Sequence, residues 1–396
     1  MKALLVERSV PRFLSARVAG SVGLPPGPAT TPLRLVDCDP PRPPTEEWQV
    51  VTPILSGICG SDLAMLAGRS SRWLEPLVTF PFVPGHEVVG RLADGRRVVL
   101  EAALTCRPRG IDPPCSACAA GHPDRCESLA FGALPPGLQT GFCGPVGGGW
   151  SGAFVAHPSQ LHVVPEALSD EDAVVVEPTA CAVHAVGRAG VADGEIVAIV
   201  GAGTMGLLVT AAVRHLARPQ LVLAAAKHPR QRTLARELGA DRVVDPSDLW
   251  RTVRRATGSL AVAGRTTGGA DCVFDCVGSA ASLEQCLALV RPGGRIVLVG
   301  MPEPTRVDLT PLWQRQVSLV GAYAYGRDPT PAGERPSFAV AIELAGAAHL
   351  GRLVSARYPL ERWPEAIAHA LEAGRRGSVK VVFEAPTSWR SQRRDR

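Results

Sequence analysis

The sequence predicts an α/β protein of two domains, one β-rich and one built on a doubly wound parallel sheet. Three observations carry this. The chain has 396 residues, more than one core ordinarily organises. Up to about residue 166, short apolar stretches are broken by Pro, Gly and Cys, as in strands joined by irregular loops. From Glu195 onward, apolar runs alternate with helical stretches, the pattern of a parallel sheet covered on both faces.

In chain order, residues 2–7 alternate loosely between apolar and polar and read as a strand. Residues 9–44 are rich in Pro and Gly, show no helical period, and read as an insertion decorating the β-rich domain near the rim of its site. Residues 50–56 and 88–100 read as strands, and 101–150 as mostly loop. The run Ser169, Asp170, Glu171, Asp172 marks a helix start, because acidic side chains suit the positive end of a helix. Strands follow at 196–200, 221–225, 271–275 and 295–300, with helices at 205–216, 230–238 and 281–289 between them. From about residue 325 the elements are mixed, and the last strand is 380–384. No internal repeat is visible.

Hydrophobic residues make up 46% and charged residues 20%, the balance of a globular protein. The net charge of +5 is too diffuse to form a nucleic-acid-binding face. The one basic cluster, residues 389–396, reads as a disordered, solvated end. Charge arrives too early in residues 1–7 for a leader, and no apolar run reaches the ~18 residues of a membrane helix. A cytoplasmic location is expected, with neither membrane nor nucleic acid as partner. The eleven Cys are an odd count, and in a reducing compartment clustered Cys point to metal rather than disulfides.

The segment Gly201-Ala202-Gly203-Thr204-Met205-Gly206 closes an apolar strand and opens a helix. That context turns a weak glycine pattern into a dinucleotide cradle, with helix N–H groups and the helix dipole facing a pyrophosphate. An acidic residue at the end of the next strand ordinarily holds the ribose. Ala226 stands there, followed by Lys227, His228 and Arg230, which favours NADP(H) over NAD(H).

Two groups of residues suggest metal. Gly57-Ile58-Cys59-Gly60-Ser61-Asp62, then Pro84-Gly85-His86-Glu87, then Glu177-Pro178 offer a thiolate, an imidazole and carboxylates from separate segments. Three protein ligands with one open position suit a catalytic zinc. Taken singly, each could be structural: a buried Cys, a satisfied His, a helix-capping Glu. The second group is Cys106, Cys115, Cys118 and Cys126, four thiolates in one irregular loop, which suits a closed structural zinc. Few basic residues and no aromatics interleave with it, unlike a nucleic-acid-binding ribbon. Cys272, Cys276 and Cys286 lie on apolar elements and read as small core residues.

In this order, G-I-C-G-S-D, P-G-H-E-x-x-G, the four-Cys lobe, E-P and G-A-G-x-M-G resemble the zinc-containing medium-chain dehydrogenases, on the branch of sorbitol, threonine and glucose dehydrogenases. The likeness spans nearly the whole chain, including 271–278 and 291–295. It implies a GroES-like catalytic domain over 1–176 and 322–396, with its zinc lobe at about 101–128, and a Rossmann domain over 177–321. It implies Cys59, His86 and Glu177 as catalytic-zinc ligands, with Glu87 a ligand or close neighbour. Asp62 is implied to steady the imidazole, and Ser61 to take the alcohol proton. Cys276, Val277 and Val299 are implied as further cofactor contacts, and a homodimer or homotetramer as the assembly. Two departures stand out. Eight residues separate Cys106 from Cys115, with Asp112 in the usual first position. Ala64 replaces a relay His.

The reaction so implied is reversible oxidation of a secondary alcohol of the polyol, sugar or cyclitol class. Zinc acidifies the hydroxyl and the carbinol hydride passes to the nicotinamide. A reductase of conjugated alkenes or imines, and a non-catalytic binder of zinc and dinucleotide, are the alternatives. Trp73, Phe82, Trp150 and Tyr323 are candidate pocket walls.

Overall fold

The computed structural model describes residues 1–21 and 27–384, so the basic cluster at 389–396 lies outside the described residues. The chain divides into two units. One takes residues 1–177, 349–373 and those from 380 on; the other takes 178–348 and 374–379.

In the first unit the strand Gln49–Gly57 is the hub of a seven-stranded sheet. It pairs antiparallel with Lys380–Glu384, with Val88–Arg91 and, at its other end, with Phe154–Ala156. Arg97–Leu100 and Leu161–Val163 continue the sheet on one side, and Val354–Pro359 joins Lys380–Glu384 in parallel on the other. The stretch 88–100 is therefore two strands. Leu92 donates its N–H to Arg96 O at 3.0 Å, and Asp94 Oδ1 accepts the Arg96 N–H, closing a turn with a side chain suited to it. Trp150, fully buried, packs edge-on against Phe383 at 5.1 Å and donates Nε1–H to Gly57 O at 3.1 Å. This fixes the end of the hub strand, where the site begins.

Residues 9–44 depart from the expected irregular insertion. They contain a helix, Val10–Ser21, and a strand, Leu33–Asp37, paired antiparallel with Lys2–Val6. Pro11 sits in the first helical turn, where a missing N–H costs nothing, so the proline that hid the helix is compatible with it. Ala16 and Ala19 face inward, and the Phe13 ring meets Phe80 edge-on at 6.3 Å. The predicted helix start at Ser169 is present: its hydroxyl accepts the Asp172 N–H at 3.0 Å and opens Asp170–Val174.

The second unit holds a six-stranded, wholly parallel sheet. Its order is Arg242–Val244, Leu221–Ala225, Ile196–Val200, Ala270–Asp275, Val290–Leu298, Ser318–Gly321. Numbered along the chain this is 3-2-1-4-5-6, the doubly wound Rossmann order, and it reverses between Ile196–Val200 and Ala270–Asp275. Strands buried on both faces need unbroken apolar runs, and Val197, Ala198, Ile199 and Val200 are all buried. Helical Leu249, Val253 and Leu287 pack onto Ala198, Leu223 and Ile296.

Residues 322–348 group with this unit, whereas the family resemblance implied that they belong to the first. Asp328, buried in the hairpin Arg327–Thr330 and Gly333–Pro336, bonds His184 Nδ1 at 2.9 Å and accepts the Ser337 hydroxyl at 2.6 Å. That buried network ties the hairpin to the helix Val176–Ala189. Among the described residues no helix is long and apolar enough to cross a membrane.

Candidate metal centres and dinucleotide cradle

The hub strand ends at Gly57, and Cys59 is the N-cap of the short helix Gly60–Leu66. Asp62, three residues on, accepts the Cys59 N–H through Oδ2 at 3.0 Å, which fixes the turn that presents the sulfur. Its other oxygen, Oδ1, faces His86 Nδ1 at 3.7 Å. His86 and Glu87 immediately precede the strand Val88–Arg91, whose pairing with Gln49–Gly57 brings them to Cys59. One ligand atom each of Cys59, His86 and Glu87 lies within 4.8 Å of the others. Asp62 Oδ1 and His86 Nδ1 are buried with no hydrogen bond to any third group and face each other, which leaves His86 Nε2 as the ring nitrogen for a cation.

Glu177, at the start of the helix Val176–Ala189, is buried beside this group and interacts electrostatically with His86, Glu87 and Cys59. Burial pushes its carboxyl up to about 8 against the pull of His86, and the charges of Glu87 and Cys59 add to the rise. Burial, reinforced by Glu87, likewise pushes the Cys59 thiol up to about 12. Ser61, half-buried, hydrogen-bonds the Cys59 side chain. Sulfur, imidazole and carboxylate donors crowded in a dry site fit a zinc-sized ion, which would replace these protons.

Sequence reasoning missed Lys380. It is buried at the first position of Lys380–Glu384, forms an ion pair with Glu87, and donates Nζ–H to Ile58 O at 3.1 Å. A lysine opening an apolar strand carries no signal of its own; only the pairing of this strand with Gln49–Gly57 brings it here. Gly57 is required at the same place, because a Cβ would collide with the Glu87 carboxylate and with Lys380.

The four cysteines meet as a second group, again with all donor atoms within 4.8 Å. Cys106 belongs to it despite its long separation: Cys115 donates its N–H to Cys106 Sγ at 3.3 Å. Glu127 and Ser128 donate N–H to Cys115 Sγ and Cys126 Sγ, each at 3.5 Å. Burial opposes ionisation of Cys115, yet hydrogen bonds, those from the Cys118 and Glu127 backbones foremost, draw its thiol down to about 6. Backbone donors aimed at sulfur fit thiolates around a structural zinc.

In the second unit Gly203 is the N-cap of Thr204–Leu216 and offers no capping side chain, with open space where its Cβ would be. A Cβ on Gly206 would strike Gly201 O, so only glycine allows this approach of helix to turn. Gly206→Val is therefore expected to abolish dinucleotide binding; unchanged energy transfer from protein to bound NADPH would refute it. Ala202 and Met205 complete the turn. Val277 lies against Gly201, and Asp275 Oδ1 holds its N–H at 3.0 Å. Val299 donates its N–H to Asp275 O at 2.9 Å, and Cys276 donates to Val200 O at 3.0 Å, so these three residues ring the carboxyl ends of the central strands. Ala226 is buried at the end of Leu221–Ala225, with Lys227 and Arg230 exposed and His228 half-buried beyond it. Arg232, also missed, donates Nε–H to Ala226 O at 2.9 Å and pairs with Asp245 at 3.0 Å.

Two of the candidate pocket walls are core residues instead. Phe82 and Trp150 are buried among Leu4, Leu33 and Phe383. Trp73 and Tyr323 are 84% and 48% exposed. Large aromatic rings bury wherever a core needs volume, which sequence alone does not separate from a pocket. The ring packed on His86 is Phe142, at 5.9 Å.

Residues 45–166 match the alcohol dehydrogenase GroES-like domain, and residues 204–342 match the zinc-binding dehydrogenase family. The chain is 30% identical over 350 residues to the sorbitol dehydrogenase of Arabidopsis thaliana, covering 83% of this chain and 85% of that protein. It is 29% identical over 347 residues to the L-idonate 5-dehydrogenase of Vitis vinifera, with coverage of 83% and 85%. A Sinorhizobium meliloti 1021 structure, named as a zinc-binding dehydrogenase and bound to NADP, superposes with a TM-score of 0.68 at 25% identity, over 89% of this chain and 95% of that one. A chain with these two domain types, and so close to such relatives along most of its length, belongs to the zinc-containing medium-chain dehydrogenase/reductase superfamily of oxidoreductases, the alcohol dehydrogenase superfamily.

Proposed function

We propose that this enzyme moves a hydride between NADP(H) and a secondary alcohol or ketone of the polyol, sugar or cyclitol class, and that it holds two zinc ions. The carrying observation is the convergence of half-buried Cys59 with buried His86 and Glu87, with Glu177 beside them, in a chain related to sorbitol and idonate dehydrogenases. Zinc, when bound there, supplies a Lewis acid for the alcohol or carbonyl oxygen.

The residues divide the work. Cys59, His86 and Glu177 hold the metal. Asp62 faces His86 Nδ1 and so leaves Nε2 as the donor. Lys380 pairs with Glu87 and so occupies that carboxylate, which favours Glu177 as the third residue that would hold the ion. The Ser61 hydroxyl takes the alcohol proton, and with Ala64 three residues on, the proton leaves by a route other than a relay histidine. The glycine turn 201–206 binds the pyrophosphate, and Lys227 and Arg230 meet the 2′-phosphate. Cys106, Cys115, Cys118 and Cys126 hold the second zinc. The thiol-rich sites fit a reducing cytoplasm, and a homo-oligomer is the assembly we favour.

The test is metal content per chain, then NADPH absorbance with a panel of polyols, ketones and enones. Zinc with ketone reduction supports the proposal; turnover of enones alone overturns it. Replacing both Lys227 and Arg230 by Ala is expected to raise KM for NADPH by about tenfold or more, with NADH little changed, since each cation removed costs about a hydrogen-bonded ion pair. Equal effects on the two cofactors would refute the preference.

A further inference from the structure

We propose that Arg109 is the positioning residue of the four-cysteine lobe: its buried guanidinium frames the loop that returns Cys106 to Cys115, Cys118 and Cys126, and its fixed charge offsets the negative charge of the thiolates. The inference rests on reading the lobe as a zinc site. Arg109 lies inside residues 107–114, the stretch that separates Cys106 from the other three.

Arg109 is fully buried, which is rare for a group that stays charged. Its Nε, Nη1 and Nη2 donors all end on backbone carbonyls. Nε–H goes to Leu104 O at 2.8 Å, and Nη2 to Gly137 O at 2.7 Å. Nη1 reaches Phe131 O and Leu134 O, each at 3.0 Å, and Pro135 O at 3.1 Å. One side chain thus clamps residue 104, just ahead of Cys106, to the segment 131–137, just after Cys126. Its backbone serves the same turn. Arg109 N–H donates to Cys106 O at 3.2 Å, Ile111 N–H to Cys106 O at 3.0 Å, and Ala133 N–H to Arg109 O at 2.9 Å.

Carbonyl dipoles satisfy the donors but leave the charge uncancelled. The ionisable groups that couple to Arg109 are Cys143, Cys126 and Cys106, two of them in the cluster. Four thiolates around one divalent ion carry a net charge of minus two, and a cation that cannot deprotonate lowers the cost of holding that charge away from water. A lysine would keep the charge and lose the planar fork; a methionine would lose both.

The experiment uses the full-length, zinc-loaded chain, with Arg109→Lys and Arg109→Met, and with Arg107→Gln as control. Arg107 has the same charge, two residues away, and is exposed. Zinc per chain, its release to a chromophoric chelator and the thiolate charge-transfer band after cobalt substitution are read. The control should match wild type. Arg109→Met should release the lobe metal about tenfold faster or more and weaken the cobalt band, with Arg109→Lys between them. Wild-type release and spectrum in Arg109→Met would overturn the inference alone. A wild-type chain carrying no thiolate-bound metal would overturn the zinc reading, and the inference with it. Should the Met variant not fold, hydrogen exchange on chelator-stripped wild type decides: protection of the Ile111 and Ala133 amides should survive, and its loss would show that the metal, not Arg109, makes the frame.

Discussion

Cys59→Ser is expected to leave a folded chain that scarcely reduces ketones. Serine is a good helix N-cap, so Gly60–Leu66 keeps its start, and Asp62 still accepts the backbone N–H of residue 59. What changes is the donor atom. A hydroxyl is a poor substitute for thiolate at zinc. The expected loss in kcat/KM is about a thousandfold, which corresponds to about 4 kcal/mol of barrier. Metal content should fall by about one equivalent while the cysteine lobe keeps its own. Undiminished ketone reduction by the variant would remove the basis for a catalytic metal at this place.

The largest effect on stability is expected from Lys380→Met. Lys380 and Glu87 are 3% and 2% exposed, so the substitution strands a carboxylate where water does not reach. Breaking a buried pair by removing one partner costs about 3–5 kcal/mol, whereas removing both is far cheaper. Urea unfolding should therefore show Lys380→Met markedly destabilised, and Lys380→Met with Glu87→Gln substantially recovered. A double variant no more stable than the single would mean that the pair is not the coupled unit its geometry implies. Gly57 sharpens the expectation, because the backbone beside the pair has no side chain to rearrange into the gap.

The parts of the molecule legible in the sequence are those whose chemistry is local. The glycine turn at 201–206 follows its strand within a few residues, and both the strand order around it and the helix it opens agree with the reading. The cysteine lobe was legible too, although spacing alone did not say that Cys106 rather than Asp112 would join; a loop clamped by a buried arginine decides that. Lys380 was invisible because its role depends on a strand pairing that joins residues more than three hundred positions from Ile58. The helix Val10–Ser21 was hidden by proline and glycine, which count against helices except at the ends where they are harmless. Residues 322–348 carried no period that could show their buried Asp328 reaching His184.

The strand Lys380–Glu384 lies inside its sheet, between Val354–Pro359 and Gln49–Gly57. During synthesis the hub strand Gln49–Gly57 emerges long before the strand that pairs along this edge, whereas all six strands of the parallel sheet have been delivered by Gly321. The nascent chain thus inverts the usual N-terminal-first sequence of maturation: the nucleotide-binding half can consolidate while the metal-binding half still waits, its hub strand open along one edge and Glu87 without a counter-charge.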